Sequence, residues 1–299
     1  DWEKEKDCKV NLTVIPWDKY EETYTTALNS GEGPDVGYMY NEMFPTYIDA
    51  GAVEDMSSYV TDEDKKEYKY LSNGNMMDGQ YGWPLVTGVP FVLYYNEDIL
   101  NALGEKAPET WDDFARICQE ATKDTDGDGK VDQYGFACGM NTSDIGAMQI
   151  LNAYYYSALW QNGGQVYNDD LKSVSFADEA GKEAVTWLKG LTSYMNEDFM
   201  SLSWSDAFSN VFGAGKAAFG ITRSSQTDGT TFAETYPNLN WNFVTSLKNK
   251  DFGTFGATDC LTLMSACEDK DLAMDFIKYV TGSEFMTAYH AKCPGAALT

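Results

Sequence analysis

The chain has 299 residues and a formal net charge of −26 at pH 7, with 43% hydrophobic and 23% charged residues. This length allows one large domain or two lobes with separate cores. So acidic a surface repels nucleic acid and anionic lipid. Binding to their phosphates requires clustered Lys and Arg side chains, and the chain has only two arginines, Arg116 and Arg223. Its apolar runs are far shorter than the roughly 20 residues of a membrane helix. The first residues show no signal peptide.

The cysteines give no sign of a zinc site. They are widely spaced, and the only histidine, His290, is not part of a Cys/His cluster of the kind that binds zinc. Cys118 and Cys260 fit small core residues. The pattern leaves open whether any disulfide forms. The six are Cys8, Cys118, Cys138, Cys260, Cys267 and Cys293.

Predicted strands and helices alternate from the start of the chain. Residues 9–15 alternate weakly between polar and apolar side chains, which predicts a strand. A helix with Tyr20 on its apolar face follows and ends at Gly31. A strand at 35–40 and a helix around Phe44 come next.

The middle of the chain has the clearest helix signals. Residues 89–95 predict an apolar strand, followed by a helix at 97–103. Thr110 with Asp113 three residues later predicts a capped helix start, because both side chains can bond free N–H groups of the first turn. Later helices have apolar stripes at Met148, Leu151 and Tyr155, at 180–191 and at 272–280, and later strands are predicted at 217–221, 241–244 and 260–264. This alternation predicts an α/β fold with helices packed on a sheet.

Five segments carry motifs of a known family, in the family's order. They are 31–36 (GEGPDV), 94–114 (from YYNEDIL to PETWDDF), Gly163-Gly164 after an aromatic helix, 212–219 (FGAGKAAF) and the helix at 270–280. In these motifs the chain resembles the family 1 extracellular solute-binding proteins, the group that contains the maltose-binding protein. Glycine-rich turns let a strand run into a helix without Cβ clashes. Helices that begin at strand ends direct unpaired N–H groups into a crevice.

The resemblance implies an α/β, two-lobed, periplasmic-binding-protein-like (type II) fold with a hinge between the lobes. One lobe would be 1–89 plus 256–299, and the other 90–255. Hinge strands would pass near 89–92 and 255–259, and the ligand would bind in the interlobe cleft as the hinge closes. Against the family pattern, the chain lacks the first strand of the first lobe and the last helices of the second, so we expect it to be truncated at both ends.

The resemblance also implies a function. The chain would be the extracellular substrate-binding component of an ABC importer, capturing a carbohydrate, expected to be an oligosaccharide, and delivering it to permease subunits with their ATPase. It would be a monomer and not an enzyme, would need no cofactor, and would lie in the periplasm or outside the cell, with a lipid anchor as its one route to the membrane.

Candidate ligand residues lie where the family places its sugar contacts. Sugars are held by aromatic faces stacked on C–H patches and by planar polar groups paired with hydroxyls. Arg223 offers a hydrogen-bonding fork in place of an aromatic residue. The alternative for each aromatic, Trp160 included, is core packing, and for Asp259 it is a structural hydrogen bond. The candidates are Tyr40, Asn41, Glu42, Thr87 and Asp259 in the first lobe, and Asn141, Thr142, Trp204, Arg223, Ser224 and Ser225 in the second.

An acidic loop resembles an EF-hand calcium loop. Asp124, Asp126, Asp128 and Asp132 stand at positions 1, 3, 5 and 9, with Lys130 at position 7, which supplies a backbone carbonyl in such loops. Position 12 is not the usual glutamate, and a strand follows rather than a second helix. The loop therefore predicts either a structural calcium ion or an acidic turn without metal.

Two further functions remain as alternatives. A secreted glycoside hydrolase would need two carboxylates across a cleft, one with a raised pKa, and abundant acidic residues are no sign of such a pair. A calcium-stabilised adhesion or scaffold module would rest on the acidic loop alone and would leave the α/β pattern unexplained.

Overall fold

The computed structural model describes residues 2–16, 19–31, 33–88, 90–142, 146–168, 172–224 and 230–292. Two compact units form, one from Asp1–Gly88 with Ala257–Thr299 and one from Val89–Gly256. No helix in these described stretches is long and apolar enough to cross a membrane. The strands are β1 (Val36–Tyr40), β2 (Asn75–Met76), β3 (Gly79–Gln80), β4 (Trp83–Gly88), β5 (Phe91–Asn96), β6 (Tyr134–Ala137), β7 (Ala217–Arg223), β8 (Trp241–Val244) and β9 (Ala257–Leu263).

The helices of these residues are α1 (Trp2–Lys6), α2 (Tyr20–Ser30), α3 (Phe44–Asp49), α4 (Asp64–Glu67), α5 (Glu97–Leu103), α6 (Trp111–Ala121), α7 (Gly146–Ile150), α8 (Tyr156–Gln161), α9 (Glu179–Gly190), α10 (Trp204–Ala207), α11 (Thr230–Thr235), α12 (Lys270–Thr281) and α13 (Ser283–Lys292). Two π-helical turns interrupt them, one before α8 and one after α10.

The first unit is built on a three-stranded antiparallel sheet in the order β1-β9-β4. Met39 and Cys260 pair across β1 and β9 and are fully buried in a cluster with Phe44. A second cluster packs Trp83 of β4 with Ile277 of α12. Because each strand alternates its side chains between the two faces of the sheet, β9 contributes to both clusters, with Cys260 in the first and Leu261 and Leu263 in the second.

The second unit is built on a four-stranded sheet in the order β6-β7-β5-β8. β6 and β7 run parallel, and the other pairs are antiparallel. One core cluster includes Phe114 of α6, whose ring centroid lies 4.8 Å from that of Phe219 on β7. The other cluster holds Tyr94 and Phe212. Burying one such aromatic side chain stabilises the fold by about 1.5–3 kcal/mol, so each cluster is a major source of stability.

The predicted helix signals of the middle of the chain are confirmed. Asn96 caps α5 by accepting from two backbone N–H groups, and Gly104 ends that helix with φ 73°. Thr110 and Asp113 form a reciprocal capping box at the start of α6. These local signals act within one turn of helix, which explains why the sequence alone reveals them.

The predicted strand at 9–15 is wrong. Residues 8–16 have no regular structure, and the side chains of Leu12 and Val14 are 84% and 81% exposed. A strand needs a neighbour to bond its N–H and C=O groups, and none of the sheets found in the described residues includes this segment.

The predicted apolar stripe on Met148, Leu151 and Tyr155 is also wrong at its centre. Leu151 is 41% exposed, while Asn152 and Tyr154 are 3% exposed. The helix passes through a π-helical turn at Leu151–Tyr155. A π turn adds residues to the turn and rotates the side chains that follow, so a 3.6-residue period fails there.

Five cysteines lie in described residues, and all five are free thiols: Cys8, Cys118, Cys138, Cys260 and Cys267. Burial raises the pKa of Cys138 and of Cys260 to about 12. The predicted core placement of Cys118 and Cys260 is confirmed, since both are fully buried. Cys293, like Ser225 and Val89, lies outside the described residues.

Candidate ligand-binding site

The sheet of the first unit brings three predicted ligand residues together. Tyr40, the last residue of β1, pairs with Asp259 of β9, and Asp259 also faces the residue before Thr87 across β4. Asn41 follows Tyr40 at the start of a 3-10 turn (Asn41–Met43), on which Glu42 is exposed. Tyr40, Asp259 and Thr87 therefore lie near one another in the sheet, and Asn41 and Glu42 follow Tyr40 directly in the chain.

Two of these residues carry buried polar atoms that need a partner. Asn41 Oδ1 and Thr87 Oγ1 have no hydrogen-bond partner among the described residues. An unsatisfied buried acceptor or hydroxyl costs about 1–3 kcal/mol. A ligand hydroxyl or a water molecule would remove that cost, which makes both residues suitable for binding a polyhydroxyl compound.

Two tyrosines of β1 donate hydrogen bonds to carboxylates beside these candidate residues. The Tyr38 hydroxyl donates to Asp259 Oδ2, and the Tyr40 hydroxyl donates to Glu21 Oε1 at 2.5 Å. Burial and then the nearby Asp259 carboxylate raise the pKa of Tyr38, and burial with the Glu21 bond raises the pKa of Tyr40. Both phenols therefore remain protonated donors, and Asp259 has the structural hydrogen bond that was the alternative to a ligand contact.

Arg223 is the centre of the candidate site in the second unit. It ends β7 and pairs with Phe91, the first residue of β5. Its Nη2 donates to Gln149 Oε1 at 3.0 Å, and its Cζ lies 5.5 Å from the centroid of the Phe91 ring. Gln149 is only 3% exposed, whereas Arg223 is partly exposed. The guanidinium is thus held in place by a buried amide and an aromatic face, with part of its surface in reach of a ligand.

A row of aromatic side chains continues from Phe91. The Phe91 centroid lies 5.6 Å from that of Trp204 and 6.3 Å from that of Phe255. The rings of Phe255 and Trp160 are nearly parallel, with an interplanar angle of 8° and a centroid distance of 6.3 Å. Trp160 also stacks on Tyr156, with a centroid distance of 5.7 Å. All of these rings except Phe91 are partly exposed. We refer to Phe91, Trp204, Phe255, Trp160 and Tyr156 as the aromatic row.

The other predicted residues of the second unit are distributed around this row. Asn141 Nδ2 donates to the Ser201 carbonyl at 3.0 Å, which ties it to the segment before Trp204. The Ser224 N–H donates to the Pro90 carbonyl at 2.9 Å. Thr142 is exposed. Trp204 and Ser224 therefore flank the start of β5, and Asn141 is anchored beside them.

Sequence reasoning missed Gln149, Tyr156 and Phe255. Gln149 and Tyr156 lie on either side of the π turn, where the expected helical period does not apply. Phe255 was assigned only to a hinge strand. The run Tyr154-Tyr155-Tyr156 was the one available signal, because adjacent aromatics on a helix cannot all face the core.

The acidic loop brings three of its predicted ligands together. Carboxylate oxygens of Asp124, Asp126 and Asp128 lie within 4.8 Å of one another. Asp124 also accepts from Gly127 N and Gly129 N, both at 2.7 Å, and these bonds lower its pKa.

Asp132, another predicted ligand of the loop, does not join this cluster. Its Oδ2 lies 2.8 Å from the hydroxyl of Thr125, which donates to it, and the Lys130 N–H donates to Asp128 Oδ1 at 2.8 Å. The loop thus presents three converging carboxylates rather than the full predicted ligand set, and calcium binding stays a prediction.

Comparison with known proteins gives matches over nearly the whole chain. Residues 1–296 match the model of a family described as bacterial extracellular solute-binding protein. A protein of Brucella abortus (strain 2308), named as a binding protein, is 25% identical over 286 residues, which are 91% of this chain and 64% of that relative. The chain therefore spans somewhat less than two thirds of the length of this curated relative.

Solved structures show the same fold. An ABC transporter solute-binding protein of Thermotoga lettingae, bound with α-D-tagatose, superposes with a TM-score of 0.74 at 18% identity, covering 97% of this chain and 74% of the other. An ABC substrate-binding protein of Listeria monocytogenes in complex with cycloalternan superposes with a TM-score of 0.73 at 19% sequence identity. The match covers 99% of this chain and 74% of the other. The fold class predicted from the sequence is confirmed.

Proposed function

The chain belongs to the bacterial extracellular solute-binding proteins, and from this membership and the site we propose that it captures a carbohydrate for an ABC importer. The observation that carries the choice of ligand is the aromatic row beside Arg223. Flat partly exposed rings suit the C–H faces of sugar rings, and a fixed guanidinium offers paired donors to hydroxyls. The ligands named for the Thermotoga and Listeria proteins, tagatose and cycloalternan, are carbohydrates, which supports the same class here.

We further propose that the two compact units are the two lobes predicted at 1–89 with 256–299 and at 90–255. Each unit has its own sheet, its own core clusters and its own set of candidate ligand residues. Gly88 has φ 114° at the end of β4, a conformation that suits glycine at a hinge crossing. In this proposal the sugar contacts are Tyr40, Asn41, Glu42, Thr87 and Asp259 in one lobe, and Arg223, Ser224, Ser225, Trp204, Asn141 and Thr142 in the other.

The proposed partners are the permease and ATPase subunits of the importer, and the proposed location is outside the cytoplasmic membrane, in the periplasm or on the cell surface through a lipid anchor. The protein would act as a monomer. Family membership supports these assignments, and the proposal extends them from relatives that are longer than this chain.

We propose binding without catalysis, in preference to a glycoside hydrolase. A hydrolase needs one carboxylic acid whose pKa is raised, so that it can protonate the leaving oxygen. Among the described carboxyl groups, the pKa values of Asp55, Asp64 and Asp113 are lowered. Lowered pKa values suit structural hydrogen bonds and ion pairs rather than a general acid.

A thermal-unfolding screen against mono- and oligosaccharides, with and without calcium, tests the proposal. A sugar that binds only the folded protein, at a hundred times its Kd, stabilises it by about 2.7 kcal/mol. We expect one sugar class to raise the melting temperature and to be recovered unchanged afterwards. Hydrolysis products would favour the enzyme, and a folded protein that responds to no sugar would refute the carbohydrate assignment.

A further inference from the structure

The first unit has a cavity of about 420 Å³ that none of the predicted ligand residues lines. It lies between helix α13 and the segment that joins α4 to the short strands. Its buried floor includes Pro84 and Met286, its walls include Tyr68 and His290, and its mouth includes Tyr70 and Thr287. This volume falls within the range of small-molecule sites, about 300–1,000 Å³.

One face of α13 is turned to this cavity. Ser283, Met286, Thr287 and His290 follow each other at the spacing i, i+3, i+4, i+7, which places them on one side of a helix. In most surface helices such a face packs against a core. Here Met286 is buried while Ser283 and Thr287 are exposed, so the face is apolar at its base and hydroxylated at its rim.

Tyr68, in the wall of the cavity, is held in position by its neighbours. The Tyr68 hydroxyl lies 3.1 Å from Thr281 Oγ1, and its ring meets Trp83 edge-on at 5.3 Å. The ammonium of Lys69 lies 5.3 Å from the centroid of the Tyr70 ring. A preformed site of this kind loses little side-chain entropy when a ligand enters.

His290 contributes a buried polar atom to the lining of the cavity. Its Nε2 is buried and has no hydrogen-bond partner among the described residues. The Tyr289 ring packs against the imidazole at 5.5 Å. A buried nitrogen in this state is costly unless a water molecule or a ligand group pairs with it.

We propose that this cavity, which we call the α13 pocket, is a second carbohydrate site that binds a monosaccharide. Its apolar floor suits the C–H face of a sugar ring. The imidazole nitrogen, two hydroxyls, and Glu67 with Lys69 at the mouth offer both donors and acceptors, as a polyol requires. An anionic ligand would be repelled by Glu67 and by the net charge of −26. The pocket is distinct from the proposed transport site and does not rest on it.

The lone histidine makes the test direct. Because His290 is the only histidine, its ring Hε1 proton gives a single NMR resonance that needs no assignment. The protein is titrated at constant pH with D-glucose, D-galactose, D-mannose and L-arabinose. We expect the resonance to shift saturably with at least one of them. No shift with any of the four would overturn the proposal.

Variants separate the pocket from the transport site. Thr287→Tyr fills the mouth from an exposed position, and Met286→Trp fills the floor. We expect each to raise the Kd of the monosaccharide, read from the His290 titration, about tenfold or more. Thr287→Tyr remains informative if Met286→Trp, a substitution of a buried residue, does not fold. Arg223→Ala is expected to leave the His290 response intact.

A His290 shift that disappears in Arg223→Ala and persists in Thr287→Tyr would mean that the resonance reports the transport site, and the pocket proposal would fail. If sugars bind in an Arg223-dependent way while His290 stays silent, the transport proposal stands and the pocket proposal fails. A response blocked only by Thr287→Tyr supports the pocket, whatever the transport site binds.

Discussion

The role of Arg223 gives the sharpest test of the proposed transport site. We expect Arg223→Ala to weaken binding of the sugar found by the thermal screen. A hydrogen bond to a charged group contributes about 1.5–3 kcal/mol, which corresponds to an affinity loss of about 10- to 150-fold. Arg223→Lys keeps the charge but loses the planar fork that meets Gln149 Oε1 at 3.0 Å. We therefore expect the lysine variant to lose most of the same affinity.

Calorimetric titration measures this affinity. The free energy of unfolding of each ligand-free variant must also be measured, so that a loss of affinity is not mistaken for a loss of stability. Removing Arg223 leaves the buried Gln149 acceptor without this donor, which costs about 1–3 kcal/mol of stability. The matched control is Arg116→Ala, because the only other arginine bonds the surface carboxylates of Glu105 and Glu120. These ion pairs lie at the surface, where solvent screens them, and are not part of the proposed site, so affinity should not change. The reasoning is refuted if Arg223→Ala binds within about twofold of the wild type.

Three further predictions concern stability. Thr110→Ala removes the capping box of α6 and should lower the free energy of unfolding by about 0.5–2 kcal/mol in urea denaturation. Asp64→Asn should cost about 1.5–3 kcal/mol at neutral pH, since the carboxylate accepts from Lys278 Nζ at 2.7 Å. The bonds of Asp64 lower its pKa, so its contribution is complete above the unfolded-state value of about 3.9 and is lost as pH falls through the folded-state pKa. If the acidic loop binds calcium, millimolar calcium should raise the melting temperature, and Asp126→Asn should abolish the increase.

The first two of these predictions have a control variant in the same chain. Thr186→Ala, at an exposed helix position whose hydroxyl bonds only within its own helix, should have little effect. Asp62→Asn removes a carboxylate that is 92% exposed and should leave the free energy of unfolding at neutral pH nearly unchanged. A calcium response that survives Asp126→Asn would contradict the loop assignment, and the absence of any response would favour the acidic turn.

Several features of the fold can be predicted from short stretches of sequence. The cap at Asn96, the capping box of Thr110 and Asp113, and the glycine that ends α5 each act within a few neighbouring residues. The five family motifs likewise indicate the fold class. Such features could be predicted because the interactions that cause them are local.

Other features depended on residues far apart in the chain. Residues 9–15 have a strand-like pattern, but no strand forms there because backbone groups need a partner that no local pattern supplies. Arg223 was predicted as a site residue, yet its partners Gln149 and Phe91 lie 74 and 132 positions away. The π turn before α8 likewise breaks the helical period on which the predicted apolar stripe depended.

The sequence by itself determined the capped starts of α5 and α6, the α/β fold class and the family, since each follows from local chemistry or from ordered motifs. Only the tertiary structure decided that Phe255, Trp160 and Tyr156 extend a row from Phe91, and that α13 turns His290 toward a cavity. The physical reason is that side-chain position in space depends on which distant segments pack together, and pairing between distant segments is not encoded in any single stretch of residues.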